Sequence, residues 1–187
     1  MVVVLLVVAT LVPIYLLETN SKSPSCPPAS RSSSNFTIPT LKANGSIVMV
    51  LSDPSPSTIQ PILANGSSVA IAVVDWSFPV SGSNSTLRQV AEELQPDGIV
   101  VLGEVPRTVS GPTEVSDYAA SGLNGIYVSE AVGSGGPCSV AEIASMARGL
   151  GGFVAVGAPS GSVPQSPLPG TNLTILTYEQ SAWNPDI

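Results

Sequence analysis

The segment GIVVLGEVPRTVSGPTEVSDYAASGLNGIYV, residues 98–128, decides the fold class. It begins with the β-branched run 98–102 and ends with a second one at 125–128. Between them, Pro112 opens a predicted helix whose apolar residues share one face, and Gly122 follows as its C-terminal stop. A strand, a helix and a strand in this order are typical of a βαβ unit with parallel strands.

The same alternation runs through most of the chain. Short β-branched runs predict strands at 47–51, 69–74, 98–102, 125–128, 153–156 and 173–177. Helical spacing predicts helices over 57–63 and 87–94, and a capping box of Ser139 and Glu142 opens another. We therefore predict an α/β domain with an open, doubly wound, mostly parallel sheet of about six strands and flanking helices. An antiparallel last strand would be ordinary in such a sheet.

The first seventeen residues, MVVVLLVVATLVPIYLL, carry no charged side chain. As a helix they cover about 26 Å, the lower limit for crossing a bilayer. We predict a hydrophobic helix at 1–17 that is an uncleaved membrane anchor or an assembly helix, since no basic residue precedes it and no Ala-x-Ala site follows. A Ser/Pro-rich linker at 18–40 and an extracytoplasmic α/β domain at 41–187 complete the predicted organisation. The basic residues that follow the segment weakly oppose this sidedness, and a buried strand or core helix is the alternative.

Placement outside the cell rests mainly on N-glycosylation sequons. Five asparagines fit the Asn-x-Ser/Thr pattern, namely Asn35, Asn44, Asn65, Asn84 and Asn172. The alternative for the two Asn-Gly-Ser matches is turn chemistry before a strand. The chain has two cysteines, Cys26 and Cys138, and in an oxidising compartment they could form one disulfide, the alternative being two free thiols.

Composition excludes several classes of function. The net charge is -7 and no cluster of Lys or Arg occurs, which argues against a nucleic-acid partner. The chain contains no histidine, so His-dependent triads and ordinary His zinc sites are excluded. No P-loop motif is present, and no cofactor signature is evident in the sequence.

Acidic residues follow five of the six predicted strands. We single out Asp75, Glu104 and Glu130 as candidate catalytic residues, because the carboxyl ends of parallel strands meet at one edge of a sheet. Such carboxylates could share a divalent cation such as Mg²⁺ or Ca²⁺, or could act as acid and base on a glycosidic bond. The alternative is that each acid caps a helix or begins a loop.

Two functions remain open from the sequence. The first is a membrane-anchored, glycosylated cell-surface domain without catalysis, with a binding or structural role in a surface layer or filament. Its partners would be the membrane, surface-layer proteins or further copies of the chain, and glycans. The second is a carboxylate- or metal-dependent hydrolase that uses the acids at the strand ends, with glycans as candidate substrates.

Overall fold

A computed structural model of the protein describes residues 25–28, 34–39, 47–52, 55–66, 68–75, 84–128, 136–159 and 173–177. Its strands are β1 (Ile47–Leu51), β2 (Val69–Val74), β3 (Val100–Val105), β4 (Gly125–Val128), β5 (Phe153–Pro159) and β6 (Leu173–Thr177). Its helices are α1 (Pro56–Ala64), α2 (Asn84–Leu94), α3 (Gly111–Ala120) and α4 (Val140–Gly149). The predicted α/β class, with a parallel sheet and flanking helices, is confirmed.

The strands lie side by side in the order in which they occur in the chain, β1-β2-β3-β4-β5-β6, and each neighbouring pair is parallel. The prediction of a doubly wound sheet was therefore wrong, since a doubly wound sheet reverses its strand order at a switch point. β6 is parallel to β5, and it is not the antiparallel edge strand that such sheets often carry. Right-handed crossovers in a constant direction place the helices on a single face. In agreement, each helix contacts the next along the chain.

β3 begins and ends later than the sequence predicted. The prediction was 98–102, whereas the strand spans Val100–Val105. Gly98 has a φ of 73° and closes the short 3-10 turn Gln95–Asp97, so the extended backbone begins only after it. Glu104 therefore lies within the strand, and does not follow it as predicted.

Local sequence signals fix the ends of the helices. Ser139 Oγ accepts the Glu142 N–H at 3.2 Å, and the Glu142 carboxylate accepts the Ser139 N–H at 2.8 Å, which confirms the predicted capping box. The backbone hydrogen bond from Ser139, helped by its side chain, lowers the pKa of Glu142. Gly122 follows α3 with a φ of 79°, the left-handed conformation that ends helices.

The two faces of the sheet bury separate apolar clusters. The larger cluster fills the space between the sheet and the helices. On the opposite face, a smaller cluster runs from β2 to β5 and consists of Ile71, Val73, Val100, Leu102, Tyr127 and Ala155. Burial of both faces agrees with the nearly continuous apolar sequences of these strands. At β1 the opposite face is open, because Val48 and Val50 are 36% and 60% exposed.

Part of the predicted linker lies against the domain. Phe36 is buried, its N–H donates to Leu150 O at 3.0 Å, and the Thr37 N–H donates to Leu123 O at 2.9 Å. The buried Asn124 side chain donates to Thr37 O at 3.0 Å and accepts the Val101 N–H at 2.8 Å. Residues 34–39, which we call the strap, are thus fixed at the amino ends of the strands.

Candidate functional site

Two of the three predicted acids lie side by side at the carboxyl ends of β2 and β3. Val74 pairs with Gly103, so Asp75 and Glu104 are the next pair in register. The Asp75 N–H donates to Leu51 O at 3.0 Å, which continues the ladder past the end of β2. Neighbouring strands lie about 4.8 Å apart, and residues in register point to the same face. The two side chains are therefore neighbours on the face opposite the helices.

The row continues into β4 with Tyr127, which pairs in register with Glu104. Glu104 is buried, at 9% exposure, whereas Asp75 is half-buried. The Tyr127 hydroxyl reaches towards β5, where a Cβ on Gly157 would overlap it. We call Asp75, Glu104 and Tyr127 the acid row, because they share one level in register across β2, β3 and β4; the Tyr127 ring also belongs to the apolar cluster on this face.

A buried tyrosine on α3 fixes the backbone of the acid row from the other side of the sheet. Tyr118 is fully buried, and its ring lies against Gly103, where any Cβ would overlap it. Its hydroxyl donates to Glu104 O at 3.0 Å. The lack of a side chain at Gly103 thus lets α3 approach β3 and hold the strand at the level of Glu104.

The negative charges of several carboxylates act on the Tyr118 hydroxyl. Burial is the largest cause that raises the pKa of Tyr118, and the negative charges of Glu114, Glu104 and Asp75 raise it further. Both causes disfavour the phenolate. Tyr118 therefore remains a protonated hydrogen-bond donor and is not a candidate base.

Glu114, in the first turn of α3, is an additional acid that the sequence analysis did not select. Burial raises its pKa, a hydrogen bond from Ser110 opposes that shift, and the nearby Asp117 adds to it. Within the part of the chain that the structure describes, its Oε2 atom is buried without a hydrogen-bond partner. Glu114 is thus an acid of raised pKa in the helix layer, four positions before Tyr118 on α3.

The remaining predicted acids and the metal hypothesis stay predictions. Glu130 lies outside the described residues, as do Asp53 and Glu179, which follow β1 and β6. Among the residues that are described, no group of three His, Cys, Asp or Glu side chains is arranged to hold a metal ion. The acid row offers two adjacent carboxylates, a number that is compatible with proton transfer and with a hydrated Mg²⁺ ion.

Two adjoining clefts lie at the opposite end of the sheet, between the strap and the ends of α2 and α3. They have volumes of about 400 and 430 Å³ and share Thr37, Ala91, Glu92 and Gln95 in their walls. Arg88 adds a cation to the first cleft, where its guanidinium also donates weakly to Ala120 O at 3.5 Å. The first cleft contains a cation, Arg88, and both contain an anion, Glu92, and the amide of Gln95. These groups can donate and accept hydrogen bonds, so the clefts suit a polar ligand. Sequence analysis missed them because the strap was predicted to be linker.

The two cysteines form a disulfide, with Cα atoms 4.6 Å apart. Cys138 is fully buried just before α4, and Cys26 packs against the main core. The Arg107 side chain donates to Cys138 O at 3.2 Å, which ties this loop to the loop after β3. The N-terminal part of the chain is therefore held at the domain twice, at Cys26 and at the strap.

Three of the five predicted sequon asparagines lie among the described residues. Asn35 is exposed on the strap and contributes to the wall of the first cleft. Asn65 is the C-cap of α1, and its side chain donates to Pro61 O at 2.9 Å, which is the turn role considered as the alternative. Asn84 is the first residue of α2, while Asn44 and Asn172 lie outside the described residues.

The predicted anchor at 1–17 also lies outside the described residues. Within the described ranges, no helix combines the length and hydropathy that crossing a bilayer requires.

Comparison with known proteins gives little further guidance. No protein-family model and no curated protein sequence matches the chain. Among solved structures, the chain is similar to MenC from Desulfotalea psychrophila LSv54, with 12% sequence identity and a TM-score of 0.39. The match covers 68% of this chain and 33% of that one. The chain thus spans about a third of the length of that protein, and a similarity at this level carries no functional argument.

Proposed function

We propose that this protein is a membrane-anchored, glycosylated cell-surface domain whose role is binding or structural. Residues 1–17 are the anchor, and the domain faces the extracytoplasmic side. The disulfide between Cys26 and Cys138 is the observation that carries the proposal. Disulfides persist in oxidising compartments and are rare in the cytosol, so this bond favours the extracytoplasmic side.

The amino-end clefts support a binding role. Their walls share Glu92 and Gln95, and the first cleft adds Arg88 and the end of α3. The strap closes one side, and its position is fixed by Phe36 and Asn124. A preformed polar cleft of this kind fits a glycan or another polar surface ligand.

Glycosylation provides the first test of the proposal. The full chain, expressed in a eukaryotic host and isolated from membranes, should migrate faster after treatment with peptide-N-glycosidase. The variant T37A removes the Asn35 sequon while leaving the asparagine in place. Its change in migration should be smaller than that of the unmodified chain by the contribution of one glycan. T58A is the matched control, because Thr58 belongs to no sequon and lies on α1. A chain without any shift would count against the proposed sidedness.

A second candidate function is the hydrolysis of glycosides by the acid row. The observation that favours it is the register, which places Asp75 and Glu104 on adjacent strands and on one face. Retaining glycosidases use two carboxyl groups about 5 to 5.5 Å apart, close to the spacing of neighbouring strands.

Activity towards a panel of chromogenic glycosides tests this second function. D75N and E104Q should each reduce kcat/KM by at least about 100-fold, the usual contribution of a general acid or base. D97N is the control, because Asp97 is exposed at the other end of the sheet. Absence of turnover by the unmodified chain, or equal effects of all three substitutions, would remove the hydrolase candidate.

A further inference from the structure

We infer that the domain stands with the carboxyl ends of its strands towards the membrane and with its amino-end clefts facing away from it. This inference rests on the proposed function, because it requires residues 1–17 to be the membrane anchor. It is carried by the position at which the chain from the anchor first attaches to the domain.

Within the described ranges, the first attachment is the disulfide, and it lies at the carboxyl ends of the strands. Cys138 follows β4 and directly precedes Ser139, the N-cap of α4. Its carbonyl oxygen accepts a hydrogen bond from Arg107 in the loop after β3. Both loops leave the carboxyl ends of strands, so Cys26 is fixed at that end of the domain.

The second attachment lies at the other end. Phe36 and Thr37 bond to Leu150, the C-cap of α4, and to Leu123, which follows α3. The chain is therefore fixed at the carboxyl end at Cys26, and at the amino end at the strap. Without the disulfide, the first fixed point after the anchor would be the strap.

The short distance in sequence between the proposed anchor and Cys26 favours one orientation. Cys26 lies nine positions after Leu17, with eight residues between them, and a fully extended chain of that length reaches about 30 Å. An inverted domain would use about 20 Å of this reach to pass along its own side, since strands of five to six residues span about 17 to 20 Å. The carboxyl end is thus the end that the tether holds near the bilayer.

This orientation assigns the two ends of the domain to different partners. The membrane-facing end carries the acid row and the exposed Val109 in the loop between β3 and α3. The outer end carries both clefts and the sequons at Asn35 and Asn65. A soluble or cell-surface ligand would reach the clefts directly, whereas a substrate of the acid row would approach from the membrane side.

Energy transfer from the domain to labelled lipids tests the orientation. The full chain is reconstituted in liposomes that contain acceptor-labelled lipid, and a donor dye is attached to V109C or to D97C. Val109 lies at the carboxyl end and Asp97 at the amino end, and both are exposed. The two native cysteines are paired, so the dye reacts with the introduced thiol. We expect stronger transfer from position 109 than from position 97.

The outcomes separate the inference from the proposed function. Equal transfer from both positions, or stronger transfer from 97, in protein that floats with the liposomes would overturn the orientation alone. Protein that does not float would overturn the anchor and the orientation together. As a matched control, adding C26S and C138S moves the first attachment to the strap, so the difference between the positions should shrink. A difference that persists unchanged would contradict the role of Cys26.

Discussion

Removal of the disulfide should strongly destabilise the domain. The bond joins residues 112 positions apart, and closing a loop of that length lowers the entropy of the unfolded chain by an amount worth about 4.8 kcal/mol at 25 °C. Measured effects usually fall somewhat below this value, because unfolded chains retain structure. For the double variant C26S/C138S we therefore expect a loss of about 3 to 5 kcal/mol. In a domain of this size, that loss lowers Tm by at least about 6 °C.

Urea unfolding followed by circular dichroism at 222 nm measures this change. Because the loss arises mainly in the unfolded chain, the unmodified protein in reducing agent should unfold at the same midpoint as the double variant. S25A is the matched control, since Ser25 is exposed beside the bond and should leave the midpoint unchanged. An oxidised protein that unfolds at the same urea concentration as the double variant would refute the reasoning.

Three further substitutions test the packing and charge of the site. G103A should lower the free energy of unfolding by about 1 to 3 kcal/mol in a thermal unfolding assay, because a new Cβ would overlap a buried tyrosine ring. G149A is the control, since the space around Gly149 is open, and it should leave the free energy of unfolding unchanged. F36A should lower the free energy of unfolding by about 3 to 5 kcal/mol, because the strap loses its buried ring. I38A, at a site that is 84% exposed, should leave the free energy of unfolding unchanged in the same assay. E114Q tests a pH dependence, because the pKa of Glu114 is higher in the folded than in the unfolded chain. Glu114 therefore stabilises the folded state at pH below about 4.5, and this contribution is lost as the pH rises through its folded pKa. E114Q should therefore raise Tm at pH 7 by up to about 2 to 4 °C, since partial exposure screens the charge, and leave Tm unchanged at pH 4; an equal rise at both values would contradict the assignment.

Features that depend on neighbouring residues could be predicted from the sequence. The capping box of Ser139 and Glu142 and the left-handed Gly122 involve contacts within one or two turns, and both were found as predicted. The placement of Asp75 and Glu104 at one end of the sheet could also be predicted. It followed from the rule that parallel strands carry their carboxyl ends at one edge.

Features that depend on distant contacts could not be predicted. The close contact of α3 with β3 is made by Tyr118, fifteen positions beyond Gly103, and no local pattern of the strand reveals it. The order of the strands decides the winding of the sheet, and alternating strands and helices are compatible with either winding. Phe36 is a single apolar residue in a Ser/Pro-rich stretch, and its burial depends on partners more than eighty positions away.

Protease accessibility in intact cells tests the central claim, that residues 1–17 hold the domain at a membrane on its outer side. We predict that added protease removes the domain from intact cells as completely as from permeabilised cells, while a cytosolic marker stays protected until permeabilisation. The chain lacking residues 1–17 should no longer sediment with membranes in the same fractions. A domain that is digested only after permeabilisation would contradict the account.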